Sequence, residues 1–97
     1  MRREITAPEA LTLYRCERNN RKAEYLGEFK KIMGRLHIFR WPLAQNLLTA
    51  VNEWQRLVSF LLLHADDAGA EPQDIANLQE DTHDLLYLKA LMEDILR

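Results

Sequence analysis

Apolar positions in this chain recur mostly at three- and four-residue spacings, and the clearest run lies in the middle. Between Pro42 and Asp67, Leu47, Val51, Trp54, Val58, Leu61 and Ala65 follow one another at spacings of 4-3-4-3-4, which keeps all six on one side of an α-helix. Pro42 suits the first turn of such a helix, because that turn leaves the N–H proline lacks without a partner anyway. Gly69 stands where a left-handed residue would stop it. The element would be roughly 39 Å long, and a helix this apolar needs the rest of the chain to cover it. Adding Ala50, Leu57 and Leu62 widens the seam to roughly 140°, about what two neighbouring helices cover.

The flanking segments read as helices too. Thr6-Ala7-Pro8-Glu9 has the spacing of a capping box, in which the Thr6 hydroxyl accepts from the Glu9 N–H and the Glu9 carboxylate reaches back. A helix is expected from about Ala7, with Leu11 and Tyr14 turned to the core. Further on, Tyr25, Leu26, Phe29, Ile32, Met33 and Leu36 form a second stripe. The run from Arg15 to Lys22 that separates them is polar on every side. In one unbroken helix, at about 100° per residue, Leu11, Phe29 and Leu36 share a face with Arg18 and Lys22 in its middle and Arg15 beside them. Burying three unpaired cations is prohibitive. The sequence therefore predicts a break or kink near Asn19-Asn20, since Asn favours a cap over a helix interior, or a segment lying beyond the edge of the core. Gly34 is the expected end of this part, and residues 37–41 read as a connector.

After the central helix, residues 68–71 form a short turn and Pro72 opens a last helix to about Leu96. Its inner face carries Leu78, Leu85, Leu88, Met92, Ile95 and Leu96. So short a turn makes the two helices antiparallel neighbours. The expected fold is all-α: one domain over residues 1–97, an antiparallel bundle of three long helices, or four if the first is split near Asn19-Asn20.

Composition narrows the picture without changing it. With 47% hydrophobic and 29% charged residues, the chain has the make-up of a folded domain rather than a disordered one. Three Gly and three Pro leave little material for turns, which favours few and long elements. Cys16 is the only cysteine and has no disulfide partner within the chain, as suits a reducing compartment. The opening MRREITAPEA lacks the apolar core of a signal peptide. The most apolar run, Leu57 to Leu63, is far shorter than the roughly 20 residues a membrane span needs. No membrane contact and a cytoplasmic location are therefore expected.

Charge is unevenly spread. Residues 1–40 hold ten Lys/Arg against five Glu, a balance of +5; residues 41–97 hold three against ten, a balance of −7, and the two sum to the net −2. Halves of opposite sign attract each other, within one chain or across a dimer, and this is preferred over a basic surface kept for an acidic partner.

Candidate chemistry is sparse. Ser59, the only serine, lies inside an apolar helical run and reads as a helical Ser rather than a nucleophile. Glycines at 27, 34 and 69 allow no phosphate-binding loop. The runs His64–Asp67 and Glu80–Asp84 contain ligand-type residues, but the hairpin sets His64 opposite about Ile75 and His83 opposite about Arg56, so neither gathers a metal's ligand set. The acidic run beside Arg56 reads as surface ion pairing. No catalytic residue, metal or cofactor is expected.

Phe60 and Leu63 do not fit the apolar seam: they fall on its far side, near Asn52 and Arg56. Tyr87 and Leu91 make a similar off-face pair on the last helix. Exposed aromatic–aliphatic pairs mark contact sites. The expected function is a non-enzymatic protein-binding module of adaptor, chaperone or inhibitor type. It would act through an apolar helix face as a homodimer, with Phe60, Leu63, Tyr87 and Leu91 as contacts. The alternative is a nucleic-acid-binding regulator that uses Arg15, Arg18, Arg21 and Lys22 on phosphates.

Overall fold

The computed structural model describes residues 5–97, apart from the side chain of His37. Residues 1–4, which include Arg2 and Arg3 of the basic half and open the segment read as no signal peptide, lie outside the described residues. The architecture is all-α: α1 (Ala7–Met33), α2 (His37–Leu63), the single turn α3 (Ala65–Ala68) and α4 (Pro72–Leu96), with no strand among the described residues.

Thr6 caps α1 as its spacing predicts, accepting from the Glu9 N–H at 3.4 Å while its own hydroxyl donates to the Glu9 carboxylate at 3.0 Å. The helix then runs unbroken for 27 residues through Asn19 and Asn20, so the expected break is absent. The premise behind it fails, because the cations at its centre are not unpaired: they meet acidic side chains of α4, as set out below. α1 stops at Gly34, whose N–H returns to the Lys30 carbonyl at 3.0 Å.

α2 begins five residues earlier than expected, and the segment read as a connector is its first turn. Arg40 ties the tight turn down, donating from Nε to the Arg35 carbonyl at 3.0 Å and from Nη2 to the Met33 carbonyl at 3.3 Å. Pro42 consequently stands inside α2 rather than at its start, where it removes one donor from the second turn. The central helix also ends early. His64 leaves helical geometry, and α3 carries the chain on to Gly69, left-handed at φ 76 as the sequence predicts. Across α3, Gly69 donates to Asp66 and Ala70 to Ala65, the closing pattern a left-handed glycine permits. The fourth helix is thus this single turn, not half of a divided first helix. Glu71 and Asp74 form a reciprocal capping box that starts α4.

The core follows the central seam. Leu47, Val51, Trp54, Val58 and Leu61 are buried together with Leu11 and Tyr14 of α1 and Leu78, Leu85 and Met92 of α4. α2 lies in the middle and packs against both α1 and α4, whereas α1 and α4, which run parallel, make little close backbone contact with each other. The molecule is accordingly broad and thin, 45 × 34 × 21 Å. The stripe at the end of α1 is only half used: Tyr25 and Ile32 are buried, while Leu26, Met33 and Leu36 face water.

Candidate functional site

The gap between α1 and α4 is closed in its first half by charge. Asp81 is 3% exposed and accepts a forked pair from Arg18, with Nε at 2.7 Å and Nη2 at 3.0 Å. The Tyr14 hydroxyl donates to the same carboxylate, and Lys22 Nζ lies 3.1 Å away. Glu80 adds looser contacts to Arg18 at 3.4 Å and Lys22 at 3.6 Å. One level down, Arg15 makes a forked pair with Asp74, whose other partner is the Glu71 N–H at 2.9 Å.

These partners set the protonation states. Burial pushes the Asp81 carboxyl up, but the hydrogen bonds from Arg18, Tyr14 and Lys22 outweigh it and hold the group below the usual carboxylate range. Arg15 holds Asp74 down in the same way, against a smaller effect of burial. Burial, and then the bond to Asp81, push the Tyr14 phenol well above its ordinary value. Arg15 and Arg18 are both raised, mainly by their bonds to Asp74 and Asp81. Three of the four candidate phosphate contacts are thus engaged by the chain's own acidic half. The fourth, Arg21, lies with its guanidinium 5.2 Å above the Trp54 ring and 3.9 Å from Glu24. Its Nε is buried without an acceptor. The acidic run, expected beside Arg56, instead sends Glu80 and Asp81 to α1.

Beyond Lys22 the gap is not closed. It opens into an apolar groove of about 360 Å³. Tyr25, Leu26 and Phe29 form its α1 wall, Trp54 its floor, and Leu85, Leu88 and Leu91 its α4 wall, with Tyr87 at the lip. Trp54 is held in place by stacking on Tyr14, ring centres 5.8 Å apart, and the Tyr25 hydroxyl donates to the Ala50 carbonyl at 3.3 Å. Arg21 and Lys22 stand at the charged end of the groove opposite Asp81 and Asp84. Leu26 and Tyr87 are each more than half exposed.

The four residues singled out as protein contacts divide between two places. Tyr87 and Leu91 belong to this groove. Phe60 and Leu63 line a shallow depression together with Asn52, Arg56 and Lys89. Lys89 is two positions from Tyr87, about 200° around α4, so the depression faces away from the groove. Leu63 is 82% exposed, whereas Phe60 packs on the edge of the core with its ring 4.6 Å from that of His64. Phe60 is therefore partly covered within a single chain.

His64 and His83 point to nearby Asp67 and Asp84 at 3.6 and 3.8 Å and remain on the surface. Among the described residues no three His, Cys, Asp or Glu side chains are placed to hold a metal ion, and no helix is long and apolar enough to cross a membrane.

Sequence reasoning missed the two buried acids of α4, Asp74 and Asp81, and the groove itself. The signal for the acids was present: Asp74, Leu78, Asp81, Leu85, Leu88, Met92 and Ile95 follow at spacings of 4-3-4-3-4-3, which puts both Asp residues on the buried face. Acids inside one stripe and cations inside another are a pairing signal. Compared with known proteins, the chain matches no protein-family model, no curated protein and no solved structure.

Proposed function

We propose that this chain is a small, non-enzymatic protein-binding module whose working surface is the groove between α1 and α4, and that its first partner is a second copy of itself. The observation that carries this reading is the groove: an apolar trough left open between two parallel helices, with the large side chains Leu26 and Tyr87 more than half exposed on it. A twofold axis running along the helices sets α1 of each copy over α4 of the other. α1 holds six Lys/Arg against four Glu, a balance of +2, and α4 one Lys against six acids, a balance of −5. The charges therefore oppose each other in that arrangement, and Asp84 of one copy comes to the level of Arg21 of the other. Such a closed pairing is the commonest form of self-association. In this arrangement Tyr87 and Leu91 keep the expected contact role, while Phe60 and Leu63 lie on the other face.

The test reverses the lip of the groove. Leu26→Glu with Tyr87→Glu, both at exposed positions, is expected to give a folded monomer of 11.4 kDa with unchanged helical circular dichroism, while Leu63→Lys leaves association intact. Persistent dimers in the groove variant, or loss of dimers in Leu63→Lys alone, would overturn the assignment. The nucleic-acid alternative has less support, because Arg15, Arg18 and Lys22 already face carboxylates at short range. Retention on DNA that falls steeply with salt and is lost in Arg21→Glu would revive it.

A further inference from the structure

The end of the molecule where α1 turns into α2 carries a second anomaly, separate from the groove. Met33, Leu36, Ile38, Phe39 and Trp41 all point into solvent there, with exposures from 46% at Met33 to 74% at Ile38. Five large apolar side chains within nine residues are more than an isolated soluble surface normally shows. Cations are interleaved with them. From residue 29 to residue 52 the chain holds Lys30, Lys31, Arg35 and Arg40 and no Asp or Glu. The flanking Glu28 is paired with Lys31 at 3.3 Å. α4 ends toward the same side with Glu93, Asp94 and Arg97, the last two 3.5 Å apart. Counting these, five Lys/Arg face three acids, and a positive balance of +2 remains.

We infer that this tip docks on an anionic lipid surface, with Leu36, Ile38, Phe39 and Trp41 entering the headgroup–acyl boundary while the exposed Lys30 and Arg35 meet the phosphates. Basic residues mixed with aliphatic and aromatic ones are the composition of interfacial anchors, and Trp favours that boundary because its ring is apolar and its N–H polar. Charge complementarity selects anionic over neutral lipid. The patch lies at one end of the molecule, where α1 turns into α2. It is also held ready, since the Arg40 bonds to the Arg35 and Met33 carbonyls fix the turn. The sequence expectation of no membrane contact rested on span length, which surface docking does not require.

The experiment uses the full chain with vesicles of phosphatidylcholine alone or mixed with phosphatidylglycerol. Co-sedimentation is expected only with the anionic vesicles, weakening as salt rises, together with a blue shift of tryptophan emission that disappears in Trp41→Phe. Lys30→Glu with Arg35→Glu is expected to weaken binding at least about tenfold, and Ile38→Asp with Phe39→Asp to abolish it. All four positions are exposed, and unchanged circular dichroism verifies folding. Equal binding to neutral vesicles, or no binding to anionic ones, would overturn the proposal. So would salt-sensitive retention on polyglutamate with no Trp41 shift on vesicles, which would assign the tip to an acidic macromolecule. The groove variant Leu26→Glu with Tyr87→Glu leaves the tip intact, so failure of the dimer reading and failure of this one are separable.

Discussion

At the scale of single residues, Asp81 holds the most connected position in the molecule: Arg18, Lys22 and Tyr14 all converge on one buried carboxylate. Removing one member of such a set leaves the others uncompensated. Asp81→Asn is expected to destabilise by about 3 kcal/mol, the low end of the buried-pair range, since Lys22 is part-exposed and screened. The pH dependence follows from the two opposite shifts. Asp81 lies below its ordinary value of 3.8, so its contribution is full above that pH and fades as pH falls through the lower native value. Tyr14 lies above its ordinary value of 10.0, so its contribution is full below that pH and fades as pH rises beyond it. Urea unfolding followed against pH should therefore show a plateau with a fall at each end. The acid fall should be shallower in Asp81→Asn, and the alkaline fall shallower in Tyr14→Phe. Limbs unchanged in both variants would show that the Asp81–Tyr14 cluster does not govern the pH response.

At the scale of elements, the central seam was legible because its signal is purely apolar. Leu47, Val51, Trp54, Val58 and Leu61 are buried as their periodicity requires. The ends of α2 were less legible for physical reasons. Pro42 looks like a helix start but is tolerated inside one, where Arg40 and the Leu36–Phe39 turn already organise the preceding residues. The continuity of α1 was misread because the cost of its buried cations depends on what faces them across 60 residues of sequence, which local pattern does not contain. Continuity has a measurable consequence. Asn19 and Asn20 are exposed interior positions of an unbroken helix, so replacing both with Ala should stabilise the protein by about 1 kcal/mol on helix propensity alone. A loss of stability, reported by a lower urea midpoint, would indicate that the pair ends a helix there.

At the scale of the whole molecule, three long helices arranged with α2 between two parallel neighbours leave one gap, half filled by ion pairs and half open. Tyr87 and Leu91 stood out from sequence only as an off-face pair, and in the fold they border the open half. Trp54, Leu85 and Leu88 looked like ordinary core, and only the splaying of α1 from α4 turns them into the lining of a surface groove. Phe60 and Leu63 stood out by the same criterion, yet lie on the opposite face in a separate shallow depression, because distance from a seam does not say what else is nearby. The overall charge division has its counterpart in this arrangement too: the basic and acidic segments meet inside one chain, and Arg21 and Asp84, which among the described residues reach no partner across the α1–α4 gap, flank the groove. The most direct test of self-association through that groove is sedimentation equilibrium of the wild-type chain over a range of concentrations, with Leu26→Glu/Tyr87→Glu run beside it. The expected result is a wild-type mass of twice 11.4 kDa at the higher concentrations and a single-chain mass for the variant throughout. A wild type that stays at the single-chain mass at every concentration, or a variant that matches it as a dimer, would contradict the account.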